Sequence, residues 1–246
     1  MSPAVELKDF SKRFGWTRVL RGIALRVERG TTLALVGPNG AGKTTLLESL
    51  AGLRRTGGGA TRVLGLDPWK EQARVRSALG FMSDDMPLFA MRVGALLRML
   101  SGYYPTWDSA LVEDLLERFK LDPRKQVHEL SKGQGTRLRL ITAMAFRPRL
   151  LLLDEPAAGL DLGGRRTLLD SVLDVVREPE RSVIVSSHLL LDVERVADRL
   201  LVLNEGRVVK QGPTDELVGE GQTLEAALLA WGAAGCGASS PTAGPG

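Results

Sequence analysis

The sequence predicts an α/β fold with a mostly parallel central sheet. Apolar runs of strand length alternate with segments whose apolar residues recur at helical spacing. Leu150–Leu153 is apolar at every position, as expected for a strand buried on both faces of a parallel sheet. A glycine-rich stretch at residues 37–42 follows one apolar run and precedes a predicted helix. Since ligands gather at the carboxyl ends of parallel strands, this stretch is where a binding site is expected.

The N-terminal segment is predicted to form strands around an aromatic turn. Val5–Leu7 and Leu25–Val27 alternate in the manner of strands, and Phe14 and Trp16 flank Gly15 between them. An aromatic ring on this turn could stack on a purine base, or it could cap the core. The residue types leave both interpretations open.

The middle of the chain changes character. Thr61–Gly65 and Leu79–Met82 are predicted strands, and the basic, glycine-rich segment 54–60 is a predicted loop. From about residue 86 to 146 helical spacing prevails, which predicts a helical subdomain inserted into the α/β framework. Its predicted helices are Arg92–Leu100, Ala110–Phe119 and Lys132–Phe146.

The α/β pattern returns after residue 150. Ser182–Val185 predicts another buried strand. The other predicted elements are the helices Thr167–Val176 and Leu190–Ala197 and a hairpin of Leu200–Leu203 with Gly206–Val209. We expect a single domain over residues 1–232, followed by a disordered tail over residues 233–246.

Composition limits the function classes. The 246 residues are 43% apolar and 25% charged, with a formal net charge of +4. Acidic residues are interleaved with the basic ones, which favours a mixed solvated surface, and no nucleic-acid partner is expected. A single cysteine, Cys236, excludes a disulfide within the chain. No signal peptide and no apolar segment of about 20 residues is recognisable, so any membrane action requires a separate spanning protein.

The glycine-rich stretch has the spacing and the context of a phosphate-binding loop. Its glycines let successive N–H groups face an anion, and the dipole of the following helix points at the same place. Lys43 would reach the β- and γ-phosphates, and the Thr44 hydroxyl would ligate Mg²⁺. The chain is therefore predicted to bind a nucleoside triphosphate. The loop consists of Gly37, Pro38, Asn39, Gly40, Ala41, Gly42, Lys43, Thr44 and Thr45.

Further candidate residues follow other strands or begin a helix. Asp154 and Glu155 come at the end of the predicted strand that begins at Leu150. There Asp154 would hold Mg²⁺, and Glu155 would orient or deprotonate the attacking water. Ser131 fits a helix N-cap, and together with Gly133 it would also form a second anion site. His188 follows another strand and could donate to a γ-phosphate.

Together these residues resemble the nucleotide-binding subunit of an ABC transporter, over about residues 5–212. The resemblance implies an ABC-type P-loop NTPase fold with an antiparallel N-terminal β subdomain. It also implies the family's dimer, in which two ATP molecules bind between two subunits, and ATP hydrolysis that drives a separate permease. Its motifs assign adenine stacking to Phe14, the signature to Ser131, Lys132, Gly133 and Gln134, the D-loop to Asp161 and the switch histidine to His188.

Two departures from the family pattern stand out. Lys132 occupies a signature position where glycine is commoner, and Asp84 occupies the position where the family usually places a glutamine. An aspartate is a suitable oxygen ligand for a cation, so Asp84 is predicted to assist Mg²⁺ and to keep the site active.

The resemblance leaves partners and cargo open. We expect a homodimer or a pair with a paralogous ATPase, bound to integral permease subunits at the cytoplasmic face of the cell membrane. The segments 84–92 and 103–108 resemble a bacterial export-type subgroup. The alternatives are a soluble ABC-type ATPase, for example in cluster assembly, and a nucleotide sensor that barely hydrolyses.

Overall fold

The computed structural model describes residues 2–55, 57–176, 180–187, 197–218, 223–224, 226–227 and 231. The strands are β1 Val5–Phe14, β2 Thr17–Val27, β3 Thr32–Val36, β4 Gly58–Val63, β5 Leu79–Ser83, β6 Leu150–Asp154, β7 Ser182–Ser187, β8 Arg199–Asn204 and β9 Arg207–Pro213. The α-helices are α1 Lys43–Leu50, α2 Gln72–Arg76, α3 Val93–Ser101, α4 Ser109–Arg118, α5 Lys132–Met144, α6 Leu162–Val176 and α7 Thr214–Leu217, and a 3₁₀ turn spans Val127–Glu129.

Three strands form a small antiparallel sheet in the order β2-β1-β4. Val5 pairs with Val27 on one side and with Val63 on the other, and all three side chains are buried. Inward-facing apolar residues alternate with exposed polar ones along β2, as a sheet with one wet face requires. The antiparallel N-terminal subdomain implied by the family resemblance is confirmed.

The main sheet has the order β5-β6-β7-β3-β8-β9. The first five strands are parallel and β9 is antiparallel to β8. Leu150–Leu153 is buried along its whole length, because other strands flank it and core packs on both of its faces. The predicted α/β class with a mostly parallel sheet is confirmed.

Strand register brings several chain segments to one edge of the sheet. Val36 pairs with Ser187, Ser186 pairs with Asp154, and Asp154 pairs with Ser83. The strands β3, β5, β6 and β7 therefore end side by side at one edge of the sheet, where ligands bind in parallel sheets.

Helices α3, α4 and α5 pack around one apolar cluster, as the spacing predicted. Asp108 caps α4 by accepting from the Leu111 N–H at 2.9 Å. Tyr104 stacks on Phe146 with ring centroids 4.0 Å apart. The proposed limits of the insert, 86–146, and of the whole domain, 1–232, remain predictions.

Several element boundaries differ from the sequence prediction, and β1 and β2 reach Phe14 and Thr17, well beyond the predicted Val5–Leu7 and Leu25–Val27. Strand β4 begins at Gly58, inside the predicted loop, and α6 begins at Leu162 instead of Thr167. The predicted helix Leu190–Ala197 lies almost entirely, and the tail 233–246 entirely, outside the described residues. Within the described ranges, no helix combines the length and the apolar character that crossing a membrane requires.

Candidate functional site

The glycine-rich loop connects β3 to α1 at the carboxyl edge of the main sheet. A Cβ on Gly37 would lie 2.1 Å from the Leu203 carbonyl oxygen, so no larger residue fits there. Gly42 is the N-cap of α1 with φ of 105°. It has no side chain to cap the first-turn amides, which are therefore left for an anion from outside the helix.

Lys43 begins α1, and its side chain folds back across the loop. Its Nζ donates to the carbonyl oxygens of Gly37 at 2.7 Å and Pro38 at 3.3 Å. The same Nζ lies 3.5 Å from Oε1 of Glu155. With only 6% of its surface exposed, the ammonium group is held where a phosphate would arrive. Thr44, in contrast, is exposed.

Ser186 on β7 joins Asp154, the last residue of β6, to Glu155, which follows it. Its hydroxyl donates to Oδ1 of buried Asp154 at 2.6 Å and accepts from the Glu155 N–H at 2.9 Å. Glu155 has a left-handed backbone with φ of 48°. This conformation turns the chain out of the strand, and the Glu155 carboxylate faces Lys43. Of the predicted pair, Glu155 thus contacts Lys43 of the glycine-rich loop, and Ser186 ties Asp154 to Glu155.

Thr44 and Asp154 supply oxygen donors suited to Mg²⁺, which prefers hard ligands and keeps several waters. In the described part of the chain, no cluster of three or more His, Cys, Asp or Glu side chains forms a complete metal cage. An ion held by one or two protein groups and by substrate phosphates does not need one. The residues present fit the ion.

The predicted second anion site is a well-formed helix start. Ser131 caps α5 through a capping box, in which its hydroxyl accepts from the Gln134 N–H at 3.3 Å and Gln134 Oε1 accepts from the Ser131 N–H at 3.1 Å. A Cβ on Gly133 would lie 3.1 Å from Leu160 Cδ2. The capping role of Ser131 is confirmed, and a role in binding ATP remains a prediction.

Asp84 follows β5 and contacts the first turns of α5. Its carboxylate lies 3.0 Å from Lys132 Nζ and 3.9 Å from Arg139 Nη1, and it accepts from the Thr136 hydroxyl at 3.4 Å. The sequence did not predict these contacts, because the partners are about fifty residues apart. The proposed part of Asp84 in Mg²⁺ binding remains a prediction.

Phe14 is the last residue of β1, and Trp16 lies in the turn that leads to β2. They are 41% and 95% exposed, so the interpretation that either one caps the core is wrong. Lys12 Nζ and the Arg54 guanidinium lie 5.3 Å and 5.1 Å from the Phe14 ring centroid. Burial, and then the nearby Arg54, lowers the pKa of Lys12. Arg54 also pairs with Glu48 of α1, and the sequence analysis did not predict its position beside Phe14.

Asp161 and His188 complete the predicted set. Asp161 accepts from the Gly164 N–H at 3.1 Å and lies 3.7 Å from the guanidinium of Arg137 on α5. His188 lies outside the described residues, immediately after β7.

Comparisons with known proteins agree on one family. A family model described as "ABC transporter" matches residues 20–158. The chain is 36% identical over 223 residues to daunorubicin resistance ATP-binding protein DrrA3 of Streptomyces coeruleorubidus, covering 88% of this chain and 70% of that protein. It is 35% identical over 247 residues to Fe(3+) ions import ATP-binding protein FbpC 2 of Rhodococcus jostii (strain RHA1), covering 92% and 70%.

A solved structure described as the ATP-binding subunit of an ABC transporter superposes with a TM-score of 0.85 at 26% identity. The match covers 93% of this chain and 99% of that one. The two folds therefore agree over nearly their whole lengths.

Proposed function

Because this chain belongs to the ABC transporter family of ATP-binding proteins, we propose that it is the motor subunit that hydrolyses ATP to drive a separate membrane permease. The observation that carries the proposal is the 3.5 Å approach of Lys43 Nζ to Glu155 Oε1. It brings the cation of a phosphate-binding loop together with a carboxylate able to act on water.

We assign the hydrolytic roles from this contact and from the family resemblance. On ATP binding, the Lys43 ammonium exchanges the carbonyls of Gly37 and Pro38 for the β- and γ-phosphates. Glu155 orients the attacking water and accepts its proton, and His188 donates to the γ-phosphate. Thr44 and Asp154 would hold Mg²⁺, which would neutralise charge on the phosphates.

A dimer accounts for the second helix start. Two copies, or one copy and a paralogous subunit, face each other head to tail with two ATP molecules between them. Ser131 and Gly133 of one subunit then contact the γ-phosphate bound to the loop of the other, with Lys132 and Gln134 beside them. The dimer closes because ATP contacts both subunits only in the closed state, and hydrolysis removes that preference.

An apolar groove offers the permease a docking place. A cavity of about 310 Å³ lies between the segment after β5 and the helices α3 and α5, with Met86, Tyr104 and Phe146 among its lining residues. Phe89 also lines it and is 60% exposed. Docking beside Asp84 would connect the permease to the ATP site and would hold the chain at the cytoplasmic face of the membrane.

Export is the proposed direction of transport. It is supported by a relative named for daunorubicin resistance and by the resemblance of segments 84–92 and 103–108 to export-type ATPases. A relative named for iron import shows that similar chains occur with importers.

Co-purification from native membranes tests the proposal. The tagged chain should recover one polytopic membrane protein at constant stoichiometry, and Phe89→Asp should abolish its recovery. Trp16→Asp, which alters a still more exposed aromatic away from the groove, should leave it unchanged. Recovery of soluble assembly factors with no membrane protein would favour the alternative of a soluble ABC-type ATPase.

A further inference from the structure

We infer that Lys132 is a positioning residue, whose ion pair with Asp84 sets the position of the second anion site relative to the main sheet. The inference rests on the proposed function, because it assigns a task within the ATP-bound dimer. It gives the two departures from the family pattern one joint explanation.

Lys132 links three chain segments. It begins α5 between the anion-site residues Ser131 and Gly133, and its Nζ lies 3.0 Å from Asp84 Oδ2 in the segment after β5. A Cβ built on Gly159 would lie 3.5 Å from both Cδ and Cε of Lys132, so the lysine stem runs directly over the D-loop. One side chain therefore contacts both loops that flank the anion site.

The rest of the same helix face supports the pair. Lys132, Thr136 and Arg139 recur at i, i+4 and i+7, which places them on one side of α5. The Thr136 hydroxyl lies 3.1 Å from the Lys132 carbonyl oxygen of its own helix and 3.4 Å from Asp84 Oδ1, and the Arg139 Nε donates to the Met86 carbonyl at 2.7 Å. The segment 84–86 is thus held to α5 chiefly by Lys132 and Arg139, with Lys132 nearest the anion site.

Exposure indicates that the pair positions the site and adds little to stability. The side chains of Lys132 and Asp84 are 67% and 32% exposed. Ion pairs that are this exposed to solvent contribute little to the free energy of folding. Removing the lysine charge should therefore leave the fold intact. It should instead let the start of α5 shift relative to β5, so that Ser131 and Gly133 meet the γ-phosphate less well.

A double-mutant cycle of Lys132→Met, Asp84→Asn and the double variant tests this role. Either single change should lower kcat roughly three- to tenfold, in the range of coupling energies for residues in contact. The kcat of the double variant should be no lower than that of either single variant. The Kd for ATP of the monomer should not change, because the monomer binds ATP through its own loop. Lys132→Arg should restore most of kcat.

Hydrogen exchange gives a readout that does not depend on activity. In the nucleotide-free chain, amides 132–136 should exchange faster in both single variants than in the wild type. In the double variant they should exchange no faster than in either single variant. Arg74→Met, which breaks the exposed pair with Glu71 at 2.7 Å on α2, is the matched control and should change neither kcat nor this exchange.

Several outcomes would overturn the inference. Additive losses of kcat would mean that the two residues act separately. A weaker apparent Mg²⁺ affinity in Asp84→Asn but not in Lys132→Met would assign Asp84 to the metal instead. A wild type that binds ATP but neither dimerises nor hydrolyses it would refute the proposed function itself, whatever the exchange data show.

Discussion

The Nζ atom of Lys43 lies 3.5 Å from Oε1 of Glu155. The first residue of α1 and the residue that follows β6 thereby share one site, although 112 positions separate them in the sequence. The ammonium group is already oriented across the glycine-rich loop by the carbonyls of Gly37 and Pro38. Binding ATP therefore requires an exchange of partners for this group, with little reorientation of the loop.

Lys43→Met should weaken ATP binding about 10- to 100-fold, because hydrogen bonds to a charged group contribute roughly 1.5–3 kcal/mol. Isothermal titration calorimetry with ATP measures the change. Lys70→Met removes an exposed lysine away from the loop and should leave the Kd unchanged. Equal Kd values for wild type and Lys43→Met would show that Lys43 does not contact the phosphates.

Phe14→Ala should weaken ATP binding roughly 5- to 100-fold, since stacking on a nucleobase contributes about 1–3 kcal/mol. Trp16→Ala is the control, because this ring is more exposed and lies two residues away on the same turn. Fluorescence titration with an ATP analogue compares the two variants. If Trp16→Ala weakened ATP binding more than Phe14→Ala, the adenine base would stack on Trp16 instead.

Ser186→Ala should lower the free energy of unfolding by about 1–3 kcal/mol, because it removes the hydroxyl partner of a buried carboxylate. Urea unfolding measures the loss. Ser171→Ala provides a comparison in α6, where the buried hydroxyl donates only to the Thr167 carbonyl of its own helix at 2.9 Å. If both variants lost the same stability, Ser186 would have no special part in holding Asp154.

Asp108→Ala should cost about 1–2 kcal/mol at neutral pH, as for other lost helix N-caps. The Leu111 N–H, and then Arg147, lowers the pKa of Asp108 below its usual value. A carboxylate with a depressed folded-state pKa stabilises above its unfolded pKa of about 3.9, and this contribution is lost as the pH falls through the folded value. The difference between variant and wild type should therefore shrink on acidification, and urea unfolding across that range checks it. If the difference in unfolding free energy between Asp108→Ala and the wild type stayed constant with pH, the charge of Asp108 would not contribute to stability.

Sequence patterns predicted the sheet best where burial is complete. Leu150–Leu153 and Ser182–Val185 could be recognised because strands covered on both faces carry continuous apolar runs, here Leu150–Leu153 and Val183–Val185. Strand β4 was missed at Gly58 because glycine usually weakens strands. Here a Cβ on Gly59 would lie 2.3 Å from the Asp9 carbonyl oxygen, so the close pairing with β1 requires the glycine.

The start of α6 was missed for a related reason. Gly163 and Gly164 argue against a helix, yet a Cβ on Gly164 would lie 2.5 Å from Arg137 Nη2. Gly164 therefore lies beside a flexible arginine side chain of α5, at a position where helix propensity disfavours glycine. Such contacts between distant segments leave no local pattern in a sequence.

In the candidate site, too, local sequence patterns could be predicted and contacts between distant segments could not. The phosphate-binding loop and the residues Asp154 and Glu155 could be predicted, because strand order and motif spacing place them together. The contact between Asp84 and Lys132 could not, because two unusual residues in separate motifs do not reveal that they touch.

The mass in solution of Glu155→Gln, with and without ATP and beside the wild type, decides whether ATP holds two subunits together. We expect a monomer without ATP, and with ATP a dimer that persists in the variant and is transient in the wild type. The variant still binds ATP but cannot activate the attacking water, so the closed state accumulates. A variant that binds ATP and remains a monomer at every protein concentration would exclude the proposed ATP-bound dimer.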